Sequence, residues 1–157
     1  MISLVVALGD NQVIGKDGWM PWNLPEDLKS FRKLTLHHAI VMGRTTFDAM
    51  KKPLLKRHTY VVTRNKAYTY NHEDVSVVYD FKRLLDEYKQ KDEILYICGG
   101  AKVYEYALPW VEEMWISLVD EHYEGDTFFP RFNEDDFLIE TKEKKEGFSL
   151  IHYIRKK

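Results

Sequence analysis

Seven residues near the start, Ile2-Ser3-Leu4-Val5-Val6-Ala7-Leu8, form an apolar run with no polar/apolar alternation. A strand with one wet face alternates. An unbroken apolar run reads as a central strand covered on both faces. It is not a membrane span, which needs about 20 residues. It also lacks the basic n-region and cleavage site of a targeting segment.

The rest of the chain fits a sheet built around that strand. Gly9 to Trp22 holds glycines at 9, 15 and 18 and is expected to be a long mobile loop. Pro25 opens a helix running to about Thr35, with Glu26 and Asp27 in its dipole-favoured first turn. Ala39 to Met42 is a strand, broken by Gly43 and followed by a helix over 44–50. Strands over 59–63 and 75–78 precede a helix over 81–89. A strand over 94–98 ends at Gly99-Gly100, and a helix from Ala101 stops before Pro109. Only strands remain, at about 114–119, 137–142 and 148–155. Strand and helix alternate first, then strand follows strand. The expected fold is α/β: a mixed, mostly parallel eight-stranded sheet, four flanking helices and a C-terminal antiparallel hairpin. No linker or repeat divides the 157 residues, so they are read as one domain.

Composition narrows the function. Hydrophobic residues at 45% and charged residues at 31% are those of a soluble globular protein. A net charge of −2 argues against a general nucleic-acid binder. The single Cys98 excludes an internal disulfide and fits a reducing cytosol. His37-His38 lacks neighbours at metal-ligand spacing, so no metal is expected. Lys142 to Glu146 reads as a solvated hairpin turn.

Three signals carry chemistry. On a wheel at about 100° per residue, Leu24, Leu28, Phe31 and Leu34 share one sector, and Asp27 falls inside it. A buried carboxylate is costly without a partner, and a ligand is one such partner; a dipole-favoured first-turn acid is an equal alternative. Next come two strand–Gly–helix junctions, Met42-Gly43-Arg44-Thr45-Thr46 and Cys98-Gly99-Gly100-Ala101-Lys102. Each sets backbone N–H groups and a cation at a helix start, an arrangement that suits phosphate. Neither is a GxGxxG or Walker fingerprint, and for either one alone plain β–α turn chemistry is the better reading. Last, Thr63-Arg64 ends a strand with a hydroxyl and a guanidinium, which suit a phosphate monoester or simply a solvated loop.

Five stretches, taken in order and spacing, resemble bacterial dihydrofolate reductase over essentially the whole chain. They are Ile14-Gly15, Pro21-Trp22-Asn23-Leu24-Pro25-Glu26-Asp27-Leu28, Met42-Gly43-Arg44-Thr45-Thr46-Phe47, Gly99-Gly100-Ala101, and Glu124-Gly125-Asp126-Thr127 with Phe129-Pro130. The resemblance implies NADPH-dependent reduction of dihydrofolate to tetrahydrofolate for one-carbon and thymidylate metabolism. It implies a cytoplasmic monomer that binds antifolates. Asp27 then bonds the pterin and favours N5 protonation. Val5, Ala7, Leu28, Phe31, Met50, Leu54 and Cys98 wall the substrate, and Ser117 supports Asp27 in place of the usual threonine. Arg57 clamps the glutamate α-carboxylate, as a planar guanidinium can. Trp22 holds an active-site water, Met20 lies in the closing loop, Asp126 supports the closed form, and Tyr104 borders the reacting rings. Ala7 and Ile14 hold the carboxamide of nicotinamide. Arg44, Thr63 and Arg64 take the 2′-phosphate. Gly43, Thr45, Thr46, Cys98, Gly99, Gly100, Ala101, Lys102, Val103 and Tyr104 surround the rest of the cofactor, and Gly99-Gly100 is expected to be cis.

The chain departs from that pattern at Lys51-Lys52-Pro53-Leu54-Leu55-Lys56-Arg57, where many members begin Gly-Arg-Pro, and at the bulky Trp19. Two rivals stand beside it. A riboflavin-pathway reductase of the same architecture is opposed by Asp27 with Arg57. A folate or NADPH binder without turnover is opposed by the retained acid and cofactor positions.

Overall fold

The computed structural model describes residues 1–15 and 20–157. The expectations placed on Gly18 and Trp19 lie outside the described residues. In chain order the elements are β1 (Ile2–Leu8), β2 (Val13–Gly15), α1 (Pro25–Thr35), β3 (Ala39–Gly43), α2 (Arg44–Met50), β4 (His58–Val62), β5 (Val75–Val78), α3 (Phe81–Lys89), β6 (Leu95–Ile97), α4 (Ala101–Ala107), β7 (Glu113–Val119), β8 (Thr127–Phe128), β9 (Phe137–Lys144) and β10 (Phe148–Arg155).

The apolar run at the start becomes an inner strand. The main sheet has eight strands in the order β5-β4-β3-β6-β1-β7-β10-β9. β1 pairs in parallel with β6 on one side and β7 on the other. Parallel pairing continues through β3, β4 and β5. β10 then runs antiparallel to both β7 and β9. The α/β sheet with four helices and a C-terminal hairpin is therefore present as expected.

Alternation along each strand sends side chains to two cores. On β3, Val41 packs into one cluster with Leu84, Leu85 and Tyr88 of α3 and Ala107 of α4. Its neighbours Ile40 and Met42 join Phe47, Val61 and Tyr96 on the opposite face. Each such side chain contributes roughly 1.5–3 kcal/mol when fully buried. α3 is held at its start by Asp80, whose carboxylate accepts from the Arg83 amide at 3.1 Å. β1 is buried except at Val5 and Ala7, which are half-buried. Those two positions face a cleft at the sheet edge.

Two expectations change. Gly9 to Trp22 is not all loop: β2 pairs antiparallel with β8 in a separate two-stranded sheet, Val13 opposite Phe128 and Gly15 opposite Thr127. Strands of three and two residues are too short to show a period, and their partners are distant in sequence. Gly125 permits the contact, since a Cβ there would run into the Val13 side chain and the Gly15 carbonyl. The charge run is the second case: Lys142 to Lys144 belong to β9, so the turn is confined to the residues before Phe148.

Candidate active site

β1, β3, β4 and β6 all end at the same edge of the sheet, because they are parallel. A cleft of about 2040 Å³ opens along that edge. Crevices outside the carboxyl ends of parallel strands are where ligands bind in open α/β sheets. All the expected site residues except Trp22, Ser117 and Asp126 line this one cleft.

At one end stands α1. Its apolar stripe is a cleft wall rather than a core face: Thr35 is the only buried residue of the helix, and Leu28 is 53% exposed. That explains an acid in the stripe. Asp27 projects into the cleft, where burial pushes its carboxyl above the usual carboxylate range while a hydrogen bond from Ser117 partly offsets the shift. Ser117 lies behind the wall, 4% exposed on β7, next to Ala7 of β1. Phe31, Met50 and Leu54 complete the apolar lining.

Arg57 is also at this end and only 6% exposed. Its Nε donates to the Leu55 carbonyl at 3.0 Å and its Nη1 to Thr35 Oγ1 at 3.3 Å. Thr35 in turn donates to the Phe31 carbonyl at 2.8 Å, so α1 orients the guanidinium. Burial and the nearby Arg32 lower the Arg57 pKa from its ordinary value. Among the described residues no acid forms an ion pair with Arg57. Thr35 is a functional residue that sequence reasoning missed; nothing in the sequence marks its hydroxyl as a support for Arg57. The altered loop before Arg57 closes α2 with Lys51 at φ +68°, a left-handed position that favours glycine.

The middle of the cleft is floored by Val5, Ala7, Ile14, Met20, Cys98 and Tyr104. Tyr104 is buried, and its hydroxyl donates to the Val5 carbonyl at 2.8 Å. Burial holds its phenol well above the ordinary range, and the same cause pushes the Cys98 thiol up to about 12. Cys98 is thus a neutral wall, as expected, and no nucleophile. Gly99-Gly100 is cis, and Gly99 has φ +110°, so a side chain there is disfavoured.

At the far end β3 and β6 deliver their helices. The Gly43 amide donates to the Gly99 carbonyl at 2.9 Å, which ties the two junctions together. Gly43 and Gly100 are the N-caps of α2 and α4, and neither gives a side-chain cap. Thr45, Thr46, Ala101 and Val103 line the cleft here beside four cations, Arg44, Arg64, Lys66 and Lys102. Among the described residues none of the four pairs with an acid. The Arg44 guanidinium lies 5.6 Å over the Tyr68 ring. Thr63 accepts from the Asn65 amide at 3.1 Å, which shapes the turn that carries Arg64. Lys66, Tyr79, Phe81 and Tyr106 also line this end and were not expected from the sequence. They come from the ends of three different elements, which no local motif links.

Trp22 is elsewhere. It packs with Val13 and Val119, edge-on to Tyr123 at 5.6 Å, and its buried indole N–H has no protein partner.

The profile of the dihydrofolate reductase family matches residues 1–153. The dihydrofolate reductase of Haemophilus influenzae is 37% identical over 96% of this chain and 92% of its own length. The type A13 dihydrofolate reductase of Escherichia coli is 38% identical over 93% of this chain and 87% of its own. A solved structure of the Enterococcus faecalis dihydrofolate reductase, complexed with NADP(H) and RAB-propyl, superimposes with a TM-score of 0.89. It is 31% identical and covers 100% of this chain and 97% of that one.

Proposed function

This chain belongs to the dihydrofolate reductase family, and from that premise we propose the part that each end of its cleft plays. The reaction is NADPH-dependent reduction of 7,8-dihydrofolate to 5,6,7,8-tetrahydrofolate.

The cofactor suits the residues present. Four unpaired cations at one end match a polyanion, and the uncapped first turns of α2 and α4 offer N–H groups to it. A Cβ at Gly43 would approach the Val103 side chain to 3.3 Å, and one at Gly100 would sit 3.4 Å from Thr46 Oγ1, so both glycines keep the cradle open. Arg44, Thr63 and Arg64 hold the 2′-phosphate; Thr45, Thr46, Gly99, Gly100, Ala101 and Lys102 surround the pyrophosphate; Ala7 and Ile14 hold the carboxamide. When bound, NADPH supplies a hydride from nicotinamide C4 to pterin C6.

The chain's own residues do the rest. Asp27 accepts hydrogen bonds from the pterin 2-amino and N3 positions and favours protonation at N5, with Ser117 fixing its carboxylate. Leu28, Phe31, Met50 and Leu54 exclude water around the ring system. Arg57 clamps the substrate's α-carboxylate, the anion its buried guanidinium lacks within the protein. Tyr104 holds the Val5 carbonyl in place beneath the reacting rings. Trp22 binds a water through its unpartnered N–H. Met20 covers the nicotinamide as the loop closes, and docking of β8 on β2 supports that closure through Asp126. All these groups come from one chain, which supports a single domain over 1–157 acting as a monomer. The lone Cys98 supports a cytoplasmic location, and no described helix is long and apolar enough to cross a membrane.

The observation that carries this reading is Asp27: a desolvated acid facing a cleft whose far end gathers unpaired cations. Mixing the protein with NADPH and dihydrofolate should lower the cofactor's absorbance. Oxidation no faster than without dihydrofolate overturns it.

A further inference from the structure

The far end of the cleft is aromatic as well as cationic. Phe81 at the start of α3 stacks on Tyr106 of α4, with centroids 5.3 Å apart and planes 24° apart. Tyr106 stacks in turn on Trp110 at 5.7 Å and 11°. The Trp110 indole N–H donates to Asp86 of α3 at 3.0 Å, which braces the column from behind. Phe81 and Tyr106 face the cleft and Trp110 does not. Tyr106 is nevertheless 43% exposed and Tyr79, also in the cleft wall, is 41% exposed.

These rings stand among the unpaired cations. The Thr63 amide donates to the Val78 carbonyl at 3.1 Å, so the strand end bearing Arg64 runs beside Tyr79. The Tyr79 hydroxyl donates to the Tyr68 carbonyl at 2.6 Å, and Tyr68 is the ring beneath Arg44. Lys102 and Tyr106 lie one turn apart on the same side of α4. Cations complement phosphate. Flat, exposed ring faces complement a flat, apolar-faced group carried next to the phosphate.

We propose that Tyr79, Phe81 and Tyr106 form an aromatic wall that receives the purine base of the cofactor, and that it reads the base by its face rather than its edge. The inference rests on the proposed function, in which the cofactor's phosphates lie at the cationic end. Stacking on a preformed column needs no rearrangement, because the column is already held by its own ring contacts. It is also tolerant of the base's substituents, since every base has a π-face.

Titration calorimetry tests this with fragments, without turnover. Tyr106→Ala should weaken 2′,5′-adenosine bisphosphate about tenfold, and Tyr106→Phe by less than threefold. Nicotinamide mononucleotide, which lacks the adenosine half, should bind both variants as it binds the parent. Replacing adenine by hypoxanthine in the bisphosphate should change affinity for the parent by less than threefold. Parent-like binding of the bisphosphate by a folded Tyr106→Ala protein makes the column a helix brace only, and overturns the proposal. A larger hypoxanthine penalty assigns the base to an edge-reading polar group and overturns it too. If the parent binds neither the bisphosphate nor NADPH, the cofactor reading itself fails.

Discussion

The two ends of the cleft are built by opposite means. Around α1 the charges are few and hidden. Asp27 is desolvated, and Arg57 is 6% exposed and fixed by Thr35 and the Leu55 carbonyl. At the other end Arg44, Arg64, Lys66 and Lys102 stand exposed without acidic partners. Removing a charge from water raises both its desolvation cost and its leverage on a neighbouring atom. An exposed charge costs little and is screened, so affinity there has to come from several acting together. Proton chemistry thus belongs to the hidden end and recognition of a polyanion to the exposed one.

Breaking the hidden end should have the largest effect. Asp27→Asn is expected to lower turnover by about 10²–10⁴-fold at neutral pH, the range of a lost acid–base group. Steady-state kinetics across pH should show the loss shrinking toward acid, where solvent protonates N5 directly. A variant within threefold of the parent at pH 7 removes Asp27 from the chemistry.

The exposed end should yield a smaller, selective effect. Arg44→Ala with Arg64→Ala is expected to raise the NADPH dissociation constant about 10²-fold, after screening reduces two charge-assisted bonds. NADH carries no 2′-phosphate, and its affinity should stay nearly unchanged. Equal weakening of both cofactors moves these arginines to the pyrophosphate or to the fold.

The smallest effect sharpens the comparison through stability. The folded state raises the Asp27 pKa above its unfolded value, so the folded form binds the proton more tightly. Ionised Asp27 therefore destabilises the fold at neutral pH. That penalty fades as pH falls through the folded pKa and is gone below the unfolded value near 3.8. Asp27→Asn should raise the melting temperature at pH 7 by ~2–4 °C, the shift expected of about 1 kcal/mol in a domain this size. The gain should vanish when the melts are repeated in acid. Equal gains at both pH values would trace to something other than burial of the charge.

What the sequence makes legible differs between the ends in the same way. The α1 end is local: Pro-Trp-x-Leu-Pro-x-Asp-Leu sits on one helix, and a wheel is enough to single out Asp27. Even there the wheel reads the stripe as core, whereas Leu28 is exposed on a cleft wall. The Thr35 support of Arg57 spans two elements and leaves no local trace. The far end is assembled from residues after β4, after β5 and within α4. Arg44 and Lys102 are visible beside their glycines, but Tyr79, Phe81 and Tyr106 come together only when strand order brings them there. The β2–β8 ladder is hidden for the same reason: its register is set by how Gly125 approaches Gly15, not by any local pattern.

The placement of Val5 and Ala7 has one more consequence. Both lie on a strand flanked by parallel partners on each side, and Val5 is further gripped by Tyr104. Backbone amides in such a strand exchange with solvent through global unfolding, whereas those of edge turns exchange through local opening. The floor beneath the reacting rings therefore belongs to the last part of the molecule to open. A ligand that fits that floor meets a fixed shape, and its affinity should follow shape more closely than it follows temperature-driven breathing of the chain.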